Sequence, residues 1–338
     1  MYQPQALRQW SEQVLGACGL DTADATVAAE ALIRANLRGV DTHGISRLPA
    51  YVAMLRSNEM NVRPSIEVED RAGTLVLDAD LALGQLAGMR AMALAIEAAA
   101  TRAVVSMSIR RTGHLGALGV LVMQAAERGM IAVLMQNGPP IMGLPGATKP
   151  AIGNNPLAFA MPTADGPPLV FDMAASEAAF GKIIDAARNN APIPAGWAID
   201  DAGVETTDAA AAMRGMLLPT GAFKGIGIAM LVECLAGSLS GVSIEKLEPG
   251  RTLPPMFGGF LIVINPSLLI GHDAFSAHRD AWLNRYKSSS KDIRYPGERA
   301  AQVETDRNKN GIPLPTTVVQ QLSQLGESLG APWTLGAP

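Results

Sequence analysis

Apolar positions recur along this chain with two periods, one near 3.6 and one near 2. Residues 4–37 predict two helices. Leu7, Trp10, Val14 and Leu15 fall on one face of the first. Asp21 or Thr22 can cap the second, which runs to about Leu37 and stops near Gly39. Residues 46–55 predict a third helix, in which Pro49 is tolerable only near the first turn. Short strands are expected at 66–69 and 74–78, joined as a hairpin around Arg71-Ala72-Gly73. An Ala/Met-rich helix follows at 85–103, then a strand at 104–109, a helix at 116–128 and a strand at 131–135. Further on, the pattern gives a strand ending at 169–173, a helix at 176–188, a strongly apolar helix at 223–239 with Glu233 as its internal charge, and a strand at 259–265. Two helices, near 273–287 and 315–329, close the chain.

Residues 137–168 break the periodicity. They are rich in Pro and Gly, with apolar residues interspersed, which predicts shaped loops beside a site rather than a linker. Strands come in clusters instead of alternating with helices. That order favours a mixed α+β architecture over a doubly wound parallel sheet.

Composition narrows the picture. A chain of 338 residues with 48% apolar content supports a large core split into two or three subdomains. Only 17% of residues are charged and 4% aromatic, so Ala and Gly must pack helices closely, and some surface is expected to be covered in a homodimer or larger assembly. A formal net charge of −4 and the lack of any Lys/Arg run argue against nucleic acid. No stretch of about 18 apolar residues suits a membrane span. The first residues lack the pattern of a secretory leader, so the cytoplasm is the expected compartment. Cys18 and Cys234 are isolated and are expected to be buried thiols.

The chemistry-bearing residues are few. No G-x-G-x-x-G follows a strand; the nearest glycine cluster, Gly113 to Gly119, has other spacing but lies between a strand and a helix, where backbone N–H groups can meet a phosphate. Of four histidines, His272 and His278 sit in a polar stretch that reads as a solvated helix start. His43 and His114 lie beside glycines at element ends. The segment Arg38 to Arg47 concentrates two arginines, an acid, a hydroxyl and His43. An imidazole exchanges protons near neutral pH and a guanidinium holds a carboxylate in a two-bond fork, so His43 and Arg47 together suit a small 2-oxo or 2-hydroxy acid. The same residues could equally form a solvent-facing salt bridge of Asp41 with Arg38 or Arg47. Asp172, closing a strand, could orient an imidazole, bind a ribose hydroxyl, or cap the helix that follows. No His/Cys/Asp spacing suits a metal.

Seven blocks, in order, resemble the type-2 malate/L-lactate dehydrogenase family over about residues 5–315: Asp41 to Tyr51, Gly113 to Gly116, Ile152 to Ala158, Phe171 to Ser176 with Gly181-Lys182-Ile183, Ile193 to Asp200, Gly221 to Gly225, and Tyr295 to Glu298. That family also holds ureidoglycolate and sulfolactate dehydrogenases, diketogulonate reductases, and reductases of piperideine- and pyrroline-2-carboxylate. The resemblance implies a non-Rossmann α+β fold, with a mixed or antiparallel sheet in the cofactor domain plus a helical domain. The expected parts are 1–62 with 289–338, 63–115, and 116–288, in a homodimer with sites near its interface. It implies His43 as proton donor or acceptor, with Asp172 beside it, and Thr42, Arg47 and His114 as substrate contacts. Some members give the proton role to the histidine at position 114. Leu115, Gly116, Asp172, Met173, Ala174, Ser176, Lys224, Gly225, Pro296, Gly297 and Glu298 are expected to contact NAD or NADP, with NADPH favoured for an imine reductase. Thr42 stands where the family often has Ser, and Phe223 where it has His or Tyr. The implied activity is hydride transfer between nicotinamide and C2 of a small 2-oxo or 2-hydroxy acid or a cyclic 2-imino acid. The alternative is a non-catalytic NAD(P)- or ligand-binding protein on the same fold.

Overall fold

The computed structural model describes residues 1–241 and 257–336. Its helices are α1 (Pro4–Ala17), α2 (Thr22–Leu37), α3 (Leu48–Arg56), α4 (Gly84–Ala98), α5 (Leu118–Ala126), α6 (Phe180–Arg188), α7 (Ala209–Arg214), α8 (Phe223–Val232), α9 (Pro266–Leu269), α10 (His272–Ser288), α11 (Glu298–Asn310) and α12 (Thr316–Ser328). Its strands are β1 (Glu67–Arg71), β2 (Thr74–Asp78), β3 (Val104–Thr112), β4 (Ile131–Gln136), β5 (Leu157–Met161), β6 (Leu169–Met173), β7 (Ala198–Ile199), β8 (Glu205–Thr206), β9 (Met216–Leu217) and β10 (Phe257–Ile264).

Seven strands form one sheet in the order β1-β2-β3-β10-β4-β5-β6, and a small second sheet runs β8-β7-β9. In the large sheet only β2 and β3 run parallel; the remaining pairs are antiparallel. The expected α+β class with a mixed sheet is therefore what forms. Strand β10 lies in the middle, with Leu261 opposite Met107 of β3 and Leu134 of β4. Helices α4 and α5 pack near this sheet through small residues. Ala87, Ala91 and Ala95 are fully buried, and a Cβ on Gly88 would lie 2.6 Å from Leu121 Cδ1. The low aromatic content thus serves close helix packing, where backbones approach and dispersion contacts accumulate.

The first helices form as their pattern predicts. Leu7, Trp10, Val14 and Leu15 of α1 are buried, and Asp21 rather than Thr22 caps α2 by accepting from Asp24 N at 2.8 Å. The third helix begins two residues later than expected, after two 3₁₀ turns at Asp41–His43 and Ile45–Arg47. Helix α4 stops at Ala98, not 103, and β3 continues to Thr112 because β2 and β10 both pair with it. Helix α5 starts at Leu118, since Gly116 is left-handed (φ +83°). Residues 176–179 are not helical. The apolar run at 223–239 divides into α8 and one π-helical turn, Glu233–Ser238.

Three further corrections concern hidden signals. The Pro/Gly-rich region contains β5, whose five residues are bounded by prolines. Helix α11 lacks any buried residue, so no apolar stripe announces it. Cys234 is exposed and Cys18 partly so, not buried as expected. Among the described residues no helix is long and apolar enough to cross a membrane.

Gly258 of β10 runs against the π turn: a Cβ there would lie 2.0 Å from Ala236 O. Backbone cannot retreat as a side chain can, so Gly258→Ala should destabilise the fold by about 1–3 kcal/mol. Chemical denaturation of the variant checks this; an unchanged midpoint would mean β10 is looser than described.

Candidate active site

The segment carrying His43 is held at both ends. Gly44 crosses directly over Asn36, where a Cβ would lie 2.1 Å from Asn36 Oδ1. Asn36, fully buried, accepts from Ile45 N at 2.7 Å and donates to Asp41 Oδ1 at 2.6 Å. Arg307 of α11 grips both oxygens of Asp41, at 2.6 and 2.9 Å, and also donates to Asn36 O. Arg38 pairs with Glu304 at 2.7 Å. The expected pairing of Asp41 with Arg38 or Arg47 is therefore replaced: both partners come from the helix that the pattern did not reveal. Arg47 consequently has no carboxylate partner among the described residues. It is exposed, with its guanidinium 5.8 Å from the Tyr51 ring centre.

His114 stands at the end of β3. A Cβ on Gly84 would lie 2.1 Å from His114 O, so α4 can begin against this carbonyl only with glycine. Gln136 of β4 fixes the flanks, accepting from Leu115 N at 2.9 Å and donating to Gly113 O at 3.2 Å. The two histidine rings face one another with centroids 5.5 Å apart, and Phe257 lies 5.8 Å beyond His114. His43 Nδ1 is 2.9 Å from Thr42 Oγ1. His114 Nδ1 is 3.1 Å from Tyr51 Oη, which also receives Gln85 Nε2 at 2.8 Å. Burial, then the Arg47 charge, lowers the His43 pKa to about 4. Burial, then His43 and Arg47, lowers that of His114 to about 3. Both imidazoles are therefore neutral at pH 7 in the ligand-free protein.

Asp172 caps a helix, but not the one expected. Its Oδ2 accepts from Gly119 N at 2.7 Å, capping α5 rather than the helix that follows it in sequence. Burial pushes its carboxyl up to about 6 against that hydrogen bond. Solvent reaches the side chain from the open side, which moderates the desolvation. That open side is a cavity of about 430 Å³, lined among others by Arg38, Gly119, Asp172, Pro296, Gly297 and Arg299. Arg294 and Arg299 on its wall have no carboxylate partner among the described residues. Gly297 is left-handed (φ +102°) at the start of α11, where a Cβ would lie 2.7 Å from Pro168 O. Size, unpaired guanidinium groups and a reachable carboxylate together fit a dinucleotide.

The remaining expected contacts divide. Glu298 borders a neighbouring cavity, where Oε2 accepts from Tyr295 N at 2.9 Å and Oε1 pairs with Lys287. Gly116 lies against Gln85, at 3.0 Å from a would-be Cβ to Nε2. Met173, Ala174, Ser176, Lys224 and Gly225 do not line the 430 Å³ cavity. Residues 175–176 lie against 219–225: Thr220 N donates to Ala175 O at 2.9 Å, Ser176 pairs with Pro219, and a Cβ on Gly225 would lie 2.7 Å from Ala175 O. Tyr51 and Gln85 were not expected at the site; the available signal was a buried-looking glutamine in the first turn of α4, ahead of Arg90. No cluster of three or more potential metal ligands occurs among the described residues.

The family model for malate/L-lactate dehydrogenase matches residues 2–323. The chain is 33% identical to a (2R)-3-sulfolactate dehydrogenase (NADP(+)) of Chromohalobacter salexigens, over 91% of this chain and 92% of that one. It is 32% identical to the ureidoglycolate dehydrogenase (NAD(+)) of Escherichia coli, over 94% and 93%. The crystal structure of Δ1-piperideine-2-carboxylate reductase from Pseudomonas syringae superposes with a TM-score of 0.88 at 31% identity, covering 96% of this chain and 99% of that one. The chain belongs to the malate/L-lactate dehydrogenase family and is an oxidoreductase.

The neutral histidines have a consequence for stability. Unfolded, each takes up a proton near 6.5; folded, His43 does so near 4 and His114 near 3. Across that interval the unfolded chain binds more protons, so these two groups weaken the fold as pH falls below about 6.5. Asp172 acts oppositely: its raised folded pKa favours the folded state on acidification between about 6 and 3.8. His114→Gln should therefore lose less stability than the parent between pH 7 and pH 5, measured by urea denaturation. Equal losses would show that His114 is not held neutral.

Proposed function

We propose that this member of the malate/L-lactate dehydrogenase family transfers hydride between a nicotinamide dinucleotide and C2 of a small 2-oxo or 2-hydroxy acid or a cyclic 2-imino acid, with His43 exchanging the proton. One observation carries the reading. Two neutral imidazoles stand ring to ring beside Arg47, a guanidinium whose neighbouring acids are engaged elsewhere. The bound dinucleotide, NAD or NADP, supplies or accepts the hydride. Arg47 holds the substrate carboxylate in a fork, which fixes C2 relative to the histidines. His43, neutral when free, takes the hydroxyl proton in oxidation and returns it in reduction. Thr42 bonds its other nitrogen. Asp172, Pro296 and Gly297 border the dinucleotide, and Arg294 and Arg299 meet its phosphates. On this reading Met173, Ala174, Ser176, Lys224 and Gly225 complete its surround.

The chain is read as a cytoplasmic homodimer. Phe223 is 77% exposed, and Met230, one heptad on along α8, is exposed on the same helix face, with Leu231 exposed next to it. Sedimentation should give twice the chain mass; a monomer at micromolar concentration would overturn the dimer.

His43→Ala should lower kcat by about 10²–10⁴ while NADH or NADPH still quenches protein fluorescence. Arg47→Lys should raise KM for the acid strongly, because a point charge does not reproduce the fork. A panel of pyruvate, oxaloacetate, ureidoglycolate and the two cyclic imines, with both cofactors, identifies the substrate. Cofactor binding with no turnover on any acid would favour a binding protein instead.

A further inference from the structure

We infer that Gln85 and Tyr51 are positioning residues that fix His114 as its Nε2–H tautomer, so that His114 serves the site as a neutral hydrogen-bond donor and His43 alone exchanges the proton. The division of labour rests on the proposed function; the tautomer does not.

The hydrogen-bond logic starts from an oxygen that can only accept. His114 O lies 3.2 Å from Gln85 Nε2. Turning the amide over would set two acceptors against each other, so nitrogen must face that carbonyl. The same nitrogen is 2.8 Å from Tyr51 Oη and gives it the second amide proton. Arg47 stands on the same side, its guanidinium 5.8 Å from the Tyr51 ring centre, and offers the phenol no acceptor. The phenol oxygen already accepts from Gln85, and among the described residues the acceptor in reach of its own proton is His114 Nδ1 at 3.1 Å. Nδ1 must then present its lone pair. A neutral ring in that state carries its proton on Nε2. Burial together with the charges of His43 and Arg47 keeps the ring neutral.

A second observation is independent of this chain of donors. Gln85 is 2% exposed, and its Oε1 is buried with no hydrogen-bond partner among the described residues. An orphaned buried acceptor costs stability, so this orientation persists at a cost that its nitrogen face must offset. Glycines frame the amide on two sides. A Cβ on Gly116 would lie 3.0 Å from Gln85 Nε2, and one on Gly84 2.1 Å from His114 O. His43 lacks such a lock. Its Nδ1 partner is a hydroxyl, Thr42 Oγ1, which rotates to donate or accept. One histidine can change its proton count without losing its partner; the other cannot.

The test is a long-range proton–nitrogen correlation on ¹⁵N-histidine-labelled protein without cofactor, with His114 assigned by its loss in His114→Gln. The chain has four histidines, so the spectrum is simple. His114 is expected with Nε2 protonated and Nδ1 bare. Gln85→Met and Tyr51→Phe should each give mixed tautomers, and Gln85→Met should lower kcat by about 10- to 100-fold with KM for the acid little changed. A proton on Nδ1 of His114 in the native protein overturns the inference without any variant. So does a pure Nε2–H ring surviving in both variants. Failure of every substrate would overturn the proposed reaction and leave the tautomer result standing.

Discussion

The placement of β10 between β3 and β4 is the constraint on which the site depends. Two strands from the first half of the chain do not touch each other; each pairs with a strand that arrives more than a hundred residues later. The three strand ends are then sewn together by side chains that follow them. Gln136 binds Gly113 and Leu115 on either side of His114. Asn137 N donates to Gly258 O at 3.2 Å, and Asn137 Oδ1 accepts from Gly258 N at 2.7 Å. Phe257, the first residue of β10, closes against the His114 ring. Asn155 joins the same knot, donating to Ala229 O and Glu233 Oε2 at 2.9 Å each. Each of these buried amides is answered, so the position of one histidine is set by backbone pairing rather than by its own loop.

The electrostatics of the site follow from where the acids go. Asp41 is spent on Arg307, Glu304 on Arg38, and Asp172 on Gly119 N–H. None is left to neutralise Arg47, whose charge depresses both histidines. A carboxylate placed beside Arg47 would remove that part of the penalty and let the His43 pKa move back toward its ordinary value. A salt bridge between Asp41 and Arg47, which the sequence equally permits, would have abolished this coupling. The fold prevents it by delivering a stronger, two-pronged partner from α11.

Much of the scaffold was legible in the sequence because burial writes itself as periodicity. The α1 face, the Asp21 cap, the hairpin at 67–78 and the apolar run of β10 are instances. His43 and His114 drew notice beside glycines, and Arg47 four residues on from His43; the structure brings the two rings together beside that charge. What was not legible has common physical causes. Helix α11 buries nothing, so its period carries no apolar signal, yet it supplies Glu304 and Arg307. Strand β5 is five residues between prolines and gains its pairing only from β4 and β6. Gln85 and Tyr51 lie on two separate helices and carry no chemistry there by themselves; only their convergence on His114, 29 and 63 residues away, gives them a role. Asp172 was singled out correctly as unusual, but its partner, Gly119, is 53 residues distant and lies on a different helix.

Helix α11 also joins the two halves of the site. Its start, at Gly297, borders the 430 Å³ cavity, and Arg38 reaches Gly297 O at 3.4 Å while holding Glu304 about two turns further along. Three turns in, Arg307 holds Asp41, two residues before His43. A helix with no buried face is positioned almost wholly by these directional contacts. Charged pairs of this kind add little stability when exposed, but they define geometry sharply when one partner is shielded, as Arg38 and Arg307 are. The wall of the cavity and the segment carrying His43 are therefore parts of one clamped unit. Any ligand that shifts the start of α11 must move Asp41 with it, and His43 after Asp41, unless an ion pair breaks first.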